Sequence, residues 1–207
     1  MTDITLALGG GGIKGIAHIG VIRVLEQAGF TIKAIAGTSA GGLIGSIYAY
    51  GKTPDEIEDI ALNLNQSKLF NRGKDEGPSL LGLRGITDAL SQHLGDATFD
   101  DLKIPFACTA VDTKTMQEYI LNRGRVATAV LATIAVPGFF SPQFIGDTEL
   151  VDGGILDPVP VALARWLAPS LPVIAICLSP TPEGWAQIAE PTIPATNPLA
   201  QPIIHQI

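Results

Sequence analysis

The chain has 207 residues, 46% hydrophobic and 16% charged, with a formal net charge of −7. That composition can fill the core of one ordinary domain and excludes a chain that is mainly disordered. The acidic balance argues against broad nucleic-acid binding, which needs basic surface to neutralise phosphates, and against charge-driven docking on anionic membranes.

Residues 4–8 form a short apolar run that stops at glycine and read as a buried strand. Residues 14–28 carry a helical pattern, with Ala17, Val21, Val24 and Ala28 on one stripe, Ile22 and Leu25 widening it, and Gly29 as the stop. Residues 32–36 are a second strand, followed at once by a glycine-rich turn and a helix over 40–50. The order strand, glycine loop, helix, strand, glycine turn, helix specifies an α/β fold with a largely parallel sheet. Thr53 caps the next helix, with Pro54 in its first turn and Asp55 and Glu56 at the positive end of its dipole.

Between 65 and 84 the chain turns polar and glycine-rich around Leu69, Phe70, Leu80 and Leu81, the texture of a mobile cover. A short helix follows over 86–94, then a hairpin pair, 104–111 and 115–121, around Asp112-Thr113-Lys114. A helical stretch from 124 is interrupted by Pro137, and 172–179 reads as another core strand. Residues 1–180 are expected to form one domain. Six of the 15 prolines lie at or beyond residue 180, so 181–207 is expected to be a proline-rich extension or a truncated end. The start of the chain has no basic segment or cleavage site, and no apolar run reaches about 18 residues, so neither a signal peptide nor a spanning helix is expected. The expected location is cytoplasmic, with peripheral membrane contact as the variant. Cys108 and Cys177 lie in apolar runs and are expected to be buried reduced thiols.

Two glycine motifs carry the chemistry. Gly10-Gly11-Gly12-Ile13-Lys14-Gly15 fits G-x-G-x-x-G between a strand and a helix. A dinucleotide site also wants an acidic residue at the end of the second strand, and that strand ends in "GTSAGG". Nor does a Gly-Lys-Ser/Thr close the run as in a P-loop. The second strand instead delivers Gly37-Thr38-Ser39-Ala40-Gly41, a match to G-x-S-x-G. At such a turn the serine hydroxyl stands clear, its neighbours must be small, and a helix N-terminus lies beneath it.

A nucleophilic serine needs a base. His18, His93 and His205 are the histidines, and only the last two follow Ser39 in the chain. Each sits where an ordinary surface or packing role fits. The other candidate is Asp152, presented at a strand end before Gly153 and Gly154; Asp157 reads as the cap of the helix after it. No His/Asp/Glu cluster has metal-ligand spacing.

These motifs, in this order, resemble the patatin-like phospholipase family in its bacterial form: GGGIKG at 10–15 followed by "IAHIGVI", GTSAG at 37–41, DGG at 152–154, and "ATIAVPGFFSP" at 132–142 between them. The similarity covers about residues 4–180. It implies a three-layer α/β/α sandwich with a mostly parallel central sheet, and lipid acyl hydrolysis by a Ser39–Asp152 dyad without histidine, metal or cofactor. The amides of Gly10, Gly11 and Gly12 would then form an oxyanion hole, with Lys14, Gly15, Gly37, Gly41, Gly153 and Gly154 supporting the motifs. The implied partner is a lipid or lysophospholipid, met in transient contact with a membrane surface, and neither nucleotide nor nucleic acid. Many members carry Arg-Ala-Ser where this chain has Leu131-Ala132-Thr133, and the family usually continues with further helices. The rival readings are a nucleotide-binding regulator using the glycine loop and a catalytically idle interaction protein of the same fold.

Overall fold

A computed structural model describes residues 2–64, 69–73 and 76–179. The proline-rich extension, His205 and part of the 65–84 segment lie outside these residues. Seven strands form one sheet: β1 (Thr2–Leu8), β2 (Phe30–Thr38), β3 (Phe106–Asp112), β4 (Gln117–Leu121), β5 (Gln143–Ile145), β6 (Thr148–Asp152) and β7 (Val173–Ile176). Their order is β5-β6-β3-β2-β1-β7, with β4 also on β3. The β7–β1, β1–β2 and β2–β3 pairs are parallel, and the pairs involving β4, β5 and β6 are antiparallel. The described helices are α1 (Ala17–Gln27), α2 (Ala40–Ala49), α3 (Pro54–Asn63), α4 (Arg84–Leu94), α5 (Val126–Thr133) and α6 (Val161–Leu167).

Strand side chains alternate between faces, and here the faces differ in size. Ile4, Leu6 and Leu8 of β1 pack into the main core with Ile19 and Ile22 of α1 and Ile44 and Ile47 of α2. Ala7, Ala36 and Ala107, from three neighbouring strands, meet Leu163 and Ala164 of α6 on the other face. Alanines on that face leave room for α6 against the sheet. Helices therefore cover both faces, giving the three-layer α/β/α fold.

Several elements depart from expectation. The first helix is preceded by a 3-10 turn (Gly12–Ile16), and its buried residues are His18, Ile19 and Ile22. Ala17, Val24 and Ala28 of the expected stripe are exposed. The larger Ile19 and Ile22 win the core-facing positions because they bury more apolar area than alanines can. Helix α5 stops at Thr133 rather than near Pro137. There the chain bends so that the Ala135 carbonyl accepts from the Asp152 amide at 3.0 Å. Strand β7 is the outermost strand on the β1 side, with none of its residues fully buried, and not the core strand its apolar run suggests. Cys177, just past its end, is exposed; Cys108 is buried as expected. Asp157 does not cap α6, whose cap position is Pro160. Helix α3 closes its start as expected, with a reciprocal Thr53–Glu56 pair satisfying two of its free amides.

The pairing around β3 positions everything that follows. β4 lies along residues 108–112 of β3, so β2 and β6 must share the opposite edge. β2 takes the first half of that edge, ending with Thr38 opposite Thr109. β6 takes the second half from the other direction, ending with Asp152 opposite Ala110. The two strands meet end to end, and the residues that leave them, Ser39 and Asp152, are neighbours.

Candidate active site

Ser39 follows β2 directly and stands at the N-cap of α2, with φ 52° and ψ −123°. A positive φ is costly for a residue with a Cβ, so the surrounding contacts must hold it. Its amide donates to Thr133 Oγ1 at 2.9 Å, and its carbonyl accepts the first bond of α2 from Leu43 at 3.0 Å. The turn closes because its flanks lack side chains. A Cβ on Gly41 would overlap the Leu8 carbonyl, and one on Gly37 would overlap the backbone of Gly42. The Thr38 hydroxyl donates to the Asp157 carbonyl at 2.9 Å, so at 3.0 Å it accepts from Thr109 Oγ1. This ties β2, β3 and the chain after β6 together beneath Ser39.

Asp152 ends β6 and is 4% exposed. Its Oδ1 accepts from the Gly154 amide at 2.7 Å, and its Oδ2 is buried with no short hydrogen bond among the described residues. Burial raises its pKa above the ordinary carboxylate value, against the opposing effects of the Ser39 hydroxyl and the Gly154 amide. The Ser39 hydroxyl is thus close enough to act on the carboxyl, and the two groups stand side by side. A Cβ on Gly153 would overlap Thr109, so only glycine lets the chain turn there.

The glycine loop faces the same point. A Cβ on Gly10 would come within 3.3 Å of Ser39 Cβ, and one on Gly15 would overlap Ala40. The loop does not, however, offer three free amides. The Gly10 N–H donates to the Pro158 carbonyl at 2.9 Å, which removes it from the expected donor set. Among the described residues Gly11 and Gly12 make no such bond. Lys14 is exposed in the 3-10 turn, and its amide closes the loop on the Gly11 carbonyl at 3.1 Å.

His18 is fully buried, and its Nε2 lies 2.8 Å from the Gly9 carbonyl. A carbonyl only accepts, so Nε2 carries the proton. Burial lowers the imidazole pKa, and Nδ1 has no partner among the described residues. The ring is therefore a neutral prop under the start of the loop. His93 lies in the last turn of α4 and lines the same apolar cavity as Ser39. The packing role read for His18 fits this place, whereas sequence reasoning missed the other props: Thr133 and the Thr38–Thr109 pair. The signal for Thr133 was present, in a hydroxyl residue closing Leu131-Ala132-Thr133 at the end of a helix whose one other polar residue is Thr128.

An apolar cavity of about 480 Å³ opens beside Ser39 between α2, α3 and α4. Leu69 and Phe70, from the segment expected to be a cover, line it. Phe70 stacks obliquely on Phe140 with ring centroids 5.8 Å apart. Ile13, 87% exposed, also lines it. Among the described residues no cluster of His, Cys, Asp and Glu could hold a metal, and no helix is long and apolar enough to cross a membrane.

A family model described as Patatin-like phospholipase matches residues 6–165. An uncharacterized NTE family protein of Mycobacterium tuberculosis is 36% identical over 195 residues, covering 93% of this chain and 53% of the relative. A lysophospholipase, nte1 of Emericella nidulans, is 28% identical over 207 residues, covering 88% of this chain and 12% of that protein. The chain thus spans about half the length of the first of these relatives and much less of the second. Among solved structures, VipD from Legionella pneumophila superposes with a TM-score of 0.57 at 15% identity, covering 77% of this chain and 47% of that one, a likeness of fold.

Proposed function

The chain belongs to the patatin-like phospholipase family, and on that premise we propose that it is a serine acyl hydrolase that cleaves carboxylic esters of lipids through Ser39 and Asp152. One observation carries the reading: a strained serine and a buried carboxylate meet where two strands end on one edge of β3, at the mouth of an apolar cavity. The Ser39 hydroxyl attacks the ester carbonyl and Asp152 takes its proton. The amides of Gly11 and Gly12 stabilise the tetrahedral oxyanion, with the N-terminus of α2 adding its dipole. Asp152 then protonates the leaving alcohol, the acyl group stays on Ser39 Oγ, and water repeats the cycle to release the acid. Gly10 serves as floor and not as donor.

The cavity supports a substrate with one acyl chain laid along α2, as in a lysophospholipid or a simple ester. Ile13 at the rim, with Leu80 and Phe139 exposed on two segments joined by the Leu80 N–H to Gly138 carbonyl bond of 3.4 Å, supports transient contact with a lipid surface. The net charge of −7 favours an uncharged or zwitterionic one. The test is fatty-acid release from a panel of lysophospholipids, diacyl lipids and simple esters by wild type and Ser39→Ala. The reading expects Ser39→Ala to lose activity by about 10³-fold or more, as when a nucleophile is removed. Equal hydrolysis by the two proteins would contradict it, and a melting shift with a dinucleotide would favour the regulator instead.

A further inference from the structure

The acyl cavity has two ends, and both are polar. Of its described lining, only Ser39 and His93 carry polar side chains. Their separation follows from three helices. On α2, Leu43, Ile44 and Ile47 line the cavity, whereas Tyr50 and the two residues after it line a second, polar cleft of about 810 Å³. On α4, Ile86, Ala89 and Leu90 line the cavity, Gln92 and Leu94 line the cleft, and His93 lines both. Helix α5 agrees: its last residue, Thr133, touches Ser39, while the Val126 amide at its start bonds to the Ala97 carbonyl just past α4. His93 therefore stands at the far end from the nucleophile, where the apolar cavity meets a cleft bordered by Lys52, Asp96, Asp101 and Lys103.

We propose that His93 is the far wall of the acyl cavity and sets the length of chain the enzyme prefers, an inference that rests on the acyl-hydrolase reading above. Ile47 lies about 12 Å along α2 from Ser39, at roughly 1.5 Å per residue. An extended chain of single bonds advances roughly 1.2 Å per bond, a third of the span of a stretched backbone residue, so about ten carbons reach the imidazole. Up to that length each buried methylene strengthens binding about fourfold. Beyond it the chain must fold back or push its methyl group past the imidazole into a charged, open cleft, where the gain ends. His93 touches neither the reacting ester nor Asp152, so its effect is on chain length and not on the chemistry.

The experiment is a chain-length series of p-nitrophenyl esters from butanoyl to octadecanoyl, read as ratios of kcat/KM within each protein. The proposal expects a rise to about decanoyl and then a plateau or fall in wild type. His93→Ala should raise the tetradecanoyl-to-octanoyl ratio by about tenfold or more, His93→Phe should move the break to shorter chains, and His93→Gln should keep the wild-type break. Calorimetric binding of octanoic, decanoic and tetradecanoic acid to Ser39→Ala, with and without His93→Ala, reads the same wall without catalysis. If no ester is cleaved but binding keeps a His93-dependent break, the hydrolase reading fails and the wall stands. Active enzymes whose profiles superimpose whatever residue occupies position 93, or binding indifferent to it, would overturn the proposal.

Discussion

Two strand-to-helix turns lie side by side at one end of the sheet, where Leu8 of β1 is in register with Gly37 of β2. Both are glycine-rich, yet they are built for different purposes. The turn after β2 is closed: it fixes one side chain, Ser39, in a strained conformation gripped by Thr133 and by the packing of Gly37 and Gly41. The turn after β1 is open: Gly12 has φ 55° with nothing near its missing Cβ, and the loop presents backbone amides. Glycine in the first is a demand for space; in the second Gly12 answers a demand for conformation, while Gly9, Gly11 and Gly15 beside it are as crowded as the glycines of the first. On the proposed reading the contrast has a reason: a nucleophile must be held, and an oxyanion site needs donors that point freely at a charge that forms later.

Alanine substitution should separate the two demands. The largest effect is expected from Gly41→Ala, whose Cβ has no room against the Leu8 carbonyl and Gly9. Overpacking against backbone should cost about 3 kcal/mol, and with it roughly 6–12 °C in Tm for a chain of this size, together with all activity. Gly12→Ala should fold, at a strain of about 1–2 kcal/mol, and lose activity by about 10-fold to 100-fold because the amide direction shifts. Thermal melts beside ester hydrolysis distinguish them. A stable, active Gly41→Ala, or a Gly12→Ala that loses activity only by unfolding, would erase the contrast between the turns.

A smaller effect tests the grip on Ser39. Thr133→Val removes the acceptor for the buried Ser39 amide and should cost about 1–3 kcal/mol, with activity down about tenfold. Thr133→Ser should restore most of both, since it returns the hydroxyl. Equal behaviour of the valine and serine variants would mean that the hydrogen bond plays no part in holding the turn.

What could be read from the sequence follows from the same contrast. The β2 turn is legible because crowding leaves a compulsory pattern of small residues around Ser39, and Asp152 is legible because the chain hugging Thr109 must continue with Gly153. The strands and helices near them are set by local periodicity and came out in order. What was hidden depends on pairings between distant segments. Thr38 opposite Thr109 and Asp152 opposite Ala110 bring the two strand ends together, and no local pattern encodes that meeting. The bond from Gly10 to Pro158 is equally remote, so a run of glycines looks like three donors until the fold engages the first of them. The rotation of α1 was misread because alanines and valines at helical spacing outnumber the isoleucines that the core selects.

The central claim is that buried Asp152 is the base for Ser39, and the most direct test is Asp152→Asn beside the wild-type pH–rate profile. The raised pKa of Asp152 means that the folded state prefers its neutral form. Its contribution to stability is therefore present at acid pH and is lost as pH rises through the interval from the ordinary carboxylate value to the raised one. Activity needs the ionised form and should climb through the upper part of that interval, above the usual carboxylate range. Asparagine keeps an acceptor for Gly154 and removes the buried charge, so at neutral pH the variant should melt no lower than wild type while hydrolysis falls by about 10²–10⁴-fold. A folded Asp152→Asn with near-normal turnover would contradict the account, as would an activity limb at the ordinary carboxylate value.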